Sequence, residues 1–138
     1  MRYEKFDIKC EGSQEKAALY VYLLDHSGEI MIEERPMIVI CPGGGYEWTS
    51  DREAEMIAVQ FLSMGYHAAV LRYSVKPAVF PTANLELGKS ITLIREHKED
   101  WRVADDKVVV CGFSAGGHMA ASYCMFWNQG WMAEKLGV

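Results

Sequence analysis

Two hydrophobic periods alternate along the chain, and that alternation predicts its elements. Tyr3 to Lys9 and Ala17 to Leu24 read as strands, with Glu11-Gly12-Ser13 as the turn between them. Met37-Ile38-Val39-Ile40-Cys41 is an unbroken apolar run, the mark of a strand covered on both faces. Pro42-Gly43-Gly44-Gly45 ends it, because neither regular structure continues through that composition. Ser50-Asp51-Arg52-Glu53 has the form of a capping box, Ser at the N-cap and Glu three residues on. Ala54, Ile57, Ala58, Phe61 and Leu62 then fall at i, i+3, i+4, i+7 and i+8, one apolar stripe of a helix that Gly65 closes.

Ala68 to Tyr73 is the next strand, and Pro77 and Pro81 bracket a loop. Thr82 heads a second helix reaching about His97, with Leu87, Ile91 and Ile94 on one face. Asp105-Asp106 predicts a turn and Lys107 to Cys111 a further buried strand. Gly112 to Gly117 predicts a sharp turn into a last helix carrying Ala120, Ala121 and Cys124. The order β-β-β-α-β-α-β-α implies a mostly parallel sheet of about five strands with helices on both faces, the first two strands antiparallel.

Composition narrows the function. The 138 residues suit one domain, residues 1–138, and an apolar half with 24% charge excludes a disordered chain. A net charge of −5 offers no footprint for nucleic acid or an anionic membrane surface. The apolar runs are strand-sized, far short of the roughly 20 residues of a membrane span. Cys10, Cys41, Cys111 and Cys124 show no CxxC spacing, so neither a zinc site nor a dithiol centre is expected. Free thiols of this kind point to a cytoplasmic protein.

Gly112-Phe113-Ser114-Ala115-Gly116 is a G-x-S-x-G between a buried strand and an apolar-faced helix. In that context it reads as a nucleophile elbow: a strained turn that pushes Ser114 out at the carboxyl end of the sheet, with glycines where side chains would strike backbone. Pro42-Gly43-Gly44-Gly45-Tyr46 ends the third strand. A triglycine lets backbone approach an ester closely and turn its amides inward, as an oxyanion requires.

With these residues in place the chain resembles the α/β-hydrolase superfamily. Within it, the chain resembles the esterase/lipase group that includes carbohydrate acetyl esterases and bacterial lipases of the hormone-sensitive-lipase type. The resemblance rests on Cys41 to Tyr46 (CPGGGY), Arg52 to Val75 and Asp105 to Ala121 (DDKVVVCGFSAGGHMAA). It implies Ser114 as nucleophile and an oxyanion hole from the amides of Gly44, Gly45 and Ala115. It implies no metal and no organic cofactor, and a small ester substrate: short acyl esters, acetylated sugars among them. Pro42 stands where the lipase version of the motif has His, which leans toward the acetyl-esterase branch.

The family's triad runs Ser, then Asp or Glu, then His. After Ser114 this chain has no Asp, one acid, Glu134, and one histidine, His118. His118 lies four residues past the serine, along its helix, and reads as a structural hydrogen-bonding residue. The chain therefore reads as the N-terminal half of the fold, lacking the C-terminal strands that would bring it to about eight. The bare edge of the elbow strand then favours association, a homo-oligomer or a partner against that edge. The alternative is a catalytically incomplete half-domain acting only in assembly or ligand binding, indifferent to Ser114→Ala.

His26, His67 and His97 read as surface residues, and Trp101, Trp127 and Trp131 as packing, the last two on one C-terminal helix. Ala83 to Ser90 imitates a phosphate loop, but its Asn-Leu-Glu-Leu interior has helical period.

Overall fold

The computed structural model describes residues 1–137. Its strands are β1 (Arg2–Asp7), β2 (Ala18–Leu23), β3 (Arg35–Cys41), β4 (His67–Arg72) and β5 (Val103–Gly112). Its helices are α1 (Glu55–Ser63), α2 (Thr82–Glu96), α3 (Lys98–Trp101), α4 (Ala115–Phe126) and α5 (Gly130–Leu136). They form one open sheet in the order β1-β2-β4-β3-β5. β3, β4 and β5 run parallel, and β2 opposes both of its neighbours, so β2 alone is reversed.

The pleat sorts each strand between two cores. Leu19, Val21, Val39 and Leu71 face α2 and α4, where Leu87, Ile94 and Met119 are fully buried. Ile38, Ile40, Ala68 and Val70 face α1 through Ala58 and Leu62. Burying one large side chain of the first group contributes about 1.5–3 kcal/mol. That core also contains a charge-bearing side chain. Glu86, fully buried, accepts hydrogen bonds from the Ser74 N–H (2.7 Å) and from the hydroxyls of Ser74 (2.5 Å) and Ser13 (2.7 Å). The carboxylate thereby ties the loop after β4 and the β1–β2 turn to α2.

Several expectations need correction. The capping box does not form: Asp51 to Glu53 make a short 3-10 turn, α1 begins at Glu55, and Ser50 caps nothing with its hydroxyl. Asp105 and Asp106 lie inside β5. Its register against β3 jumps there, Arg35 facing Val103 and Met37 facing Val108, so the acidic pair bulges out of the ladder. β5 is less buried than its apolar sequence implies. Only β3 pairs with it among the described residues, and Val109 is 49% exposed.

His67 is a core residue, 1% exposed. Its Nδ1 accepts from the Leu24 N–H (3.1 Å), and its Nε2 lies 3.3 Å from the Arg102 carbonyl. Burial pushes its pKa below the ordinary 6.5, favouring the neutral ring. Trp127 and Trp131 belong to different segments, since α4 ends at Phe126 and α5 starts at Gly130. Trp127 is exposed, while Trp131 packs with Phe80 and Phe126. The free thiols are buried only at Cys41; Cys10 and Cys111 are half-buried and Cys124 is exposed. No helix among the described residues is long and apolar enough to cross a membrane.

Candidate active site

β5 and α4 meet at Ser114, whose backbone lies at φ 50°, ψ −118°. A non-glycine residue there is strained, and the strain persists only where surrounding packing enforces it. The flanking glycines supply that packing. A Cβ on Gly116 would sit 2.1 Å from the Cys41 carbonyl oxygen, and one on Gly112 would sit 2.5 Å from the Gly116 carbonyl oxygen. Strand, turn and helix are therefore in backbone-to-backbone contact, with the end of β3 pressed against the start of α4. The Gly116 N–H donates to the Phe113 carbonyl (2.8 Å), and the His118 N–H to the Ser114 carbonyl (2.9 Å). The Ser114 side chain points away from this contact and is exposed.

The triglycine loop comes off β3 beside that turn. A Cβ on Gly43 would fall 3.0 Å from the Ser114 Cβ and 2.7 Å from the Phe113 carbonyl oxygen. Gly44 (φ 142°), Gly45 (φ 65°) and Tyr46 (φ 61°) carry the chain through left-handed space. Gly44 accepts from the Glu47 and Trp48 N–H groups (3.0 and 3.3 Å), and Gly43 from the Ser50 N–H (2.8 Å), which close the loop on itself. Among the described residues, the N–H groups of Gly44, Gly45 and Ala115 donate to no protein acceptor. Gly44, Gly45 and Ser114 line one cleft of 660 Å³, with Trp48, Arg52 and Glu53 on its walls. Ala115 lies behind Ser114 as the first residue of α4.

Other side chains hold this loop. The Glu53 carboxylate accepts from the Gly43 N–H (3.0 Å). The Lys76 N–H donates to the Tyr46 carbonyl (2.7 Å). The Tyr73 hydroxyl donates to the Pro42 carbonyl, and burial raises its pKa, so it stays a donor. The Tyr46 hydroxyl meets His118 Nδ1 at 2.7 Å. His118 therefore joins α4 to the triglycine loop, as its structural reading expected, and its Nδ1 is occupied.

Sequence reasoning assigned none of these loop contacts. Glu53 satisfied a local capping pattern, and nothing in that pattern points ten residues back to an amide. Tyr46 was part of the motif, without a role for its hydroxyl.

The sheet order, the strained strand–Ser–helix turn and the glycine loop after β3 define an α/β hydrolase. The chain belongs to the BD-FAE family, whose model matches residues 26–136. Solved structures agree. A metagenomic α/β hydrolase from the Medee deep-sea basin, MGS-M1, superposes with a TM-score of 0.82 at 41% identity, over 87% of this chain and 49% of that one. The carboxylesterase Cest-2923 of Lactobacillus plantarum gives 0.83 at 28% identity, over 99% and 50%. An acetyl ester-xyloside bifunctional hydrolase from Caldicellulosiruptor lactoaceticus gives 0.71 at 34%, over 76% and 37%. The chain thus spans about half or less of each of these, and 17% and 21% of the curated relatives it matches. Its relatives are esterases and other hydrolases, which places it in a hydrolase family.

Proposed function

We propose that this chain carries the nucleophile and oxyanion site of a serine carboxylester hydrolase acting on short acyl esters, acetylated carbohydrates among them. The observation that supports this most is the shared cleft. Ser114 is held in a strained, exposed conformation beside a loop whose Gly44 and Gly45 amides have no protein acceptor.

In the reaction, Ser114 Oγ bonds to the ester carbonyl carbon while its proton passes to a base. The carbonyl electron pair moves onto oxygen, and that oxyanion is met by the N–H groups of Gly44, Gly45 and Ala115. Collapse breaks the carbon–alkoxy bond, and the alcohol leaves with the proton. Water then cleaves the acyl-serine to the carboxylic acid. Glu53 and Tyr73 position the loop by holding Gly43 and Pro42. The general base and its acidic partner would come from outside these 138 residues, since His118 lies along α4 and bonds Tyr46 through Nδ1. No metal and no organic cofactor enters this scheme.

The test is to treat the protein, as isolated from its own cells, with a fluorophosphonate and map the adduct by peptide mass. A single adduct on Ser114 is expected, absent in Ser114→Ala. The 138-residue chain alone should react at least about a thousandfold more slowly, the order of loss when a triad member is removed. A native protein with no adduct at Ser114 would overturn the reading.

A further inference from the structure

A second cavity lies on the α2 and α4 side of the triglycine loop, and the Ser114 scheme makes no use of it. It measures 320 Å³, at the small end of ligand-sized pockets, and is lined mainly by apolar surface. Ala78, Val79 and Phe80, from the loop after β4, supply most of that surface. Asn84 from the first turn of α2, and His118 and Ser122 from successive turns of α4, supply polar atoms. This cavity and the Ser114 cleft have no wall residue in common. Tyr46 follows Gly45 in the loop and His118 lies one turn along α4 from Ser114. Their hydrogen-bonded pair (2.7 Å) therefore marks the boundary between the two spaces.

The cavity's polar atoms are few, and three of them are unspent. Ser74 is not one of them: its hydroxyl donates to Glu86 and accepts from the Gln14 N–H. Asn84 is 5% exposed and donates through Nδ2 to the Met119 carbonyl (3.4 Å). Its Oδ1 accepts from no described residue and is not sealed from solvent, so the cavity is where a donor can reach it. Burial raises the Tyr46 pKa, which keeps its hydroxyl the donor to His118 Nδ1. The neutral imidazole then carries its proton on Nε2 and donates from there. The Ser122 hydroxyl bonds no described residue either and can do both. One buried acceptor beside two donors matches a hydroxyl group, which donates once and accepts twice.

We propose that this cavity is a binding site for a small neutral alcohol, with an apolar body of about ten heavy atoms or fewer. The hydroxyl sits at Asn84, His118 and Ser122, and the hydrocarbon lies against Ala78, Val79 and Phe80. Val79 and Phe80 are 75% and 59% exposed, so a ligand in the cavity gives them surface to bury. Phe80 is braced for that contact edge-on by Phe126 and Trp131, at ring distances of 5.8 and 6.1 Å. Charge argues for a neutral ligand. No carboxylate lines the cavity to meet a cation, and the Glu86 carboxylate behind Ser74 opposes an anion. Lys76, the one ammonium in the lining, has Glu47 beside it at 3.6 Å. This site stands whether or not Ser114 is a nucleophile.

The test is an amide-resolved NMR titration of the protein with three compounds of one shape: cyclohexanol, cyclohexanecarboxylate and cyclohexylamine. Cyclohexanol should bind saturably, at about millimolar affinity for so small a molecule, and shift the amides of Ala83, Asn84 and Ser122. The two charged compounds should bind at least about tenfold more weakly, because the cavity leaves their charge unpaired. Ser122→Leu puts a side chain into the space and should abolish binding; Leu suits a helix, so circular dichroism should show the fold kept. Should that variant not fold, Ala78→Leu fills the same space from a loop. Asn84→Ala should weaken cyclohexanol about five- to tenfold, the worth of one hydrogen bond. The proposal is overturned by the absence of saturable alcohol binding, by equal affinity for all three compounds, or by binding that survives the filled cavity. Shifts confined to Gly44, Gly45 and Ser114 overturn it as well, since they place the alcohol in the serine cleft.

Discussion

Two glycine-rich turns flank the same serine, and Gly45 in one needs glycine for a different reason from Gly112 and Gly116 in the other. At Gly112 and Gly116 the issue is space, because a single added carbon would overlap the backbone of β3 or of the turn itself. At Gly45 space is free, with nothing within 4 Å of a Cβ, and the issue is the positive φ. The first turn is welded into the fold. The second is close-packed against backbone at Gly43 and Gly44 but open at Gly45, where its shape depends on side-chain partners such as Glu53 and Tyr46. Stability should therefore be concentrated in one and site geometry in the other.

The sharpest way to break that contrast is Gly116→Ala. The new Cβ meets a backbone carbonyl at 2.1 Å, so β3 and α4 must separate, and the fold should lose more than about 4 kcal/mol in chemical denaturation. A variant within about 1 kcal/mol of the parent would mean the turn is not welded. Glu53→Ala should divide the two effects differently. It leaves the Gly43 N–H without its acceptor, a loss of about 1–3 kcal/mol, and fluorophosphonate labelling of Ser114 should slow about tenfold in the native protein.

Gly45→Ala should cost about 1–2 kcal/mol through its φ of 65° alone, and Gly45→Asn less, because Asn accepts left-handed backbone more readily. The smallest change is Tyr46→Phe, which unlinks the two turns by removing the bond to His118. About 0.5–1.5 kcal/mol should be lost, with the melting transition still cooperative. If Tyr46→Phe proved as damaging as Gly116→Ala, the turns would be one unit and the contrast would fail.

The welded turn was legible in the sequence because its signal is local. A β-branched strand, two glycines at fixed spacing from Ser114 and an apolar-faced helix leave few other folds. The shaped loop was legible as three glycines, and its supports were not. Glu53 obeys a capping pattern that spans four residues, whereas the amide it actually holds belongs to a different element. His67 has the composition of a strand end at the surface. It is buried because Leu24 and Arg102, remote in sequence, offer it a donor and an acceptor. The acidic pair Asp105-Asp106 has turn chemistry, and only the ladder with β3 turns it into a bulge. The pairing of β2 with β4 rather than with β3 carries no local signal either.

That last pairing has a kinetic side. β2 finds its neighbour not in β3, the next strand made, but in β4, which enters between them. On the ribosome β2 and β3 must therefore wait, unpaired to each other, until residues up to Arg72 have emerged. The parallel β3–β5 ladder waits for about forty more, some seconds at ordinary synthesis rates. Distant pairings of this kind slow folding and leave apolar strands such as Met37–Cys41 uncovered meanwhile. The centre of the sheet is thus both the most buried part of the finished molecule and the part that newly made chain leaves open to chaperones longest.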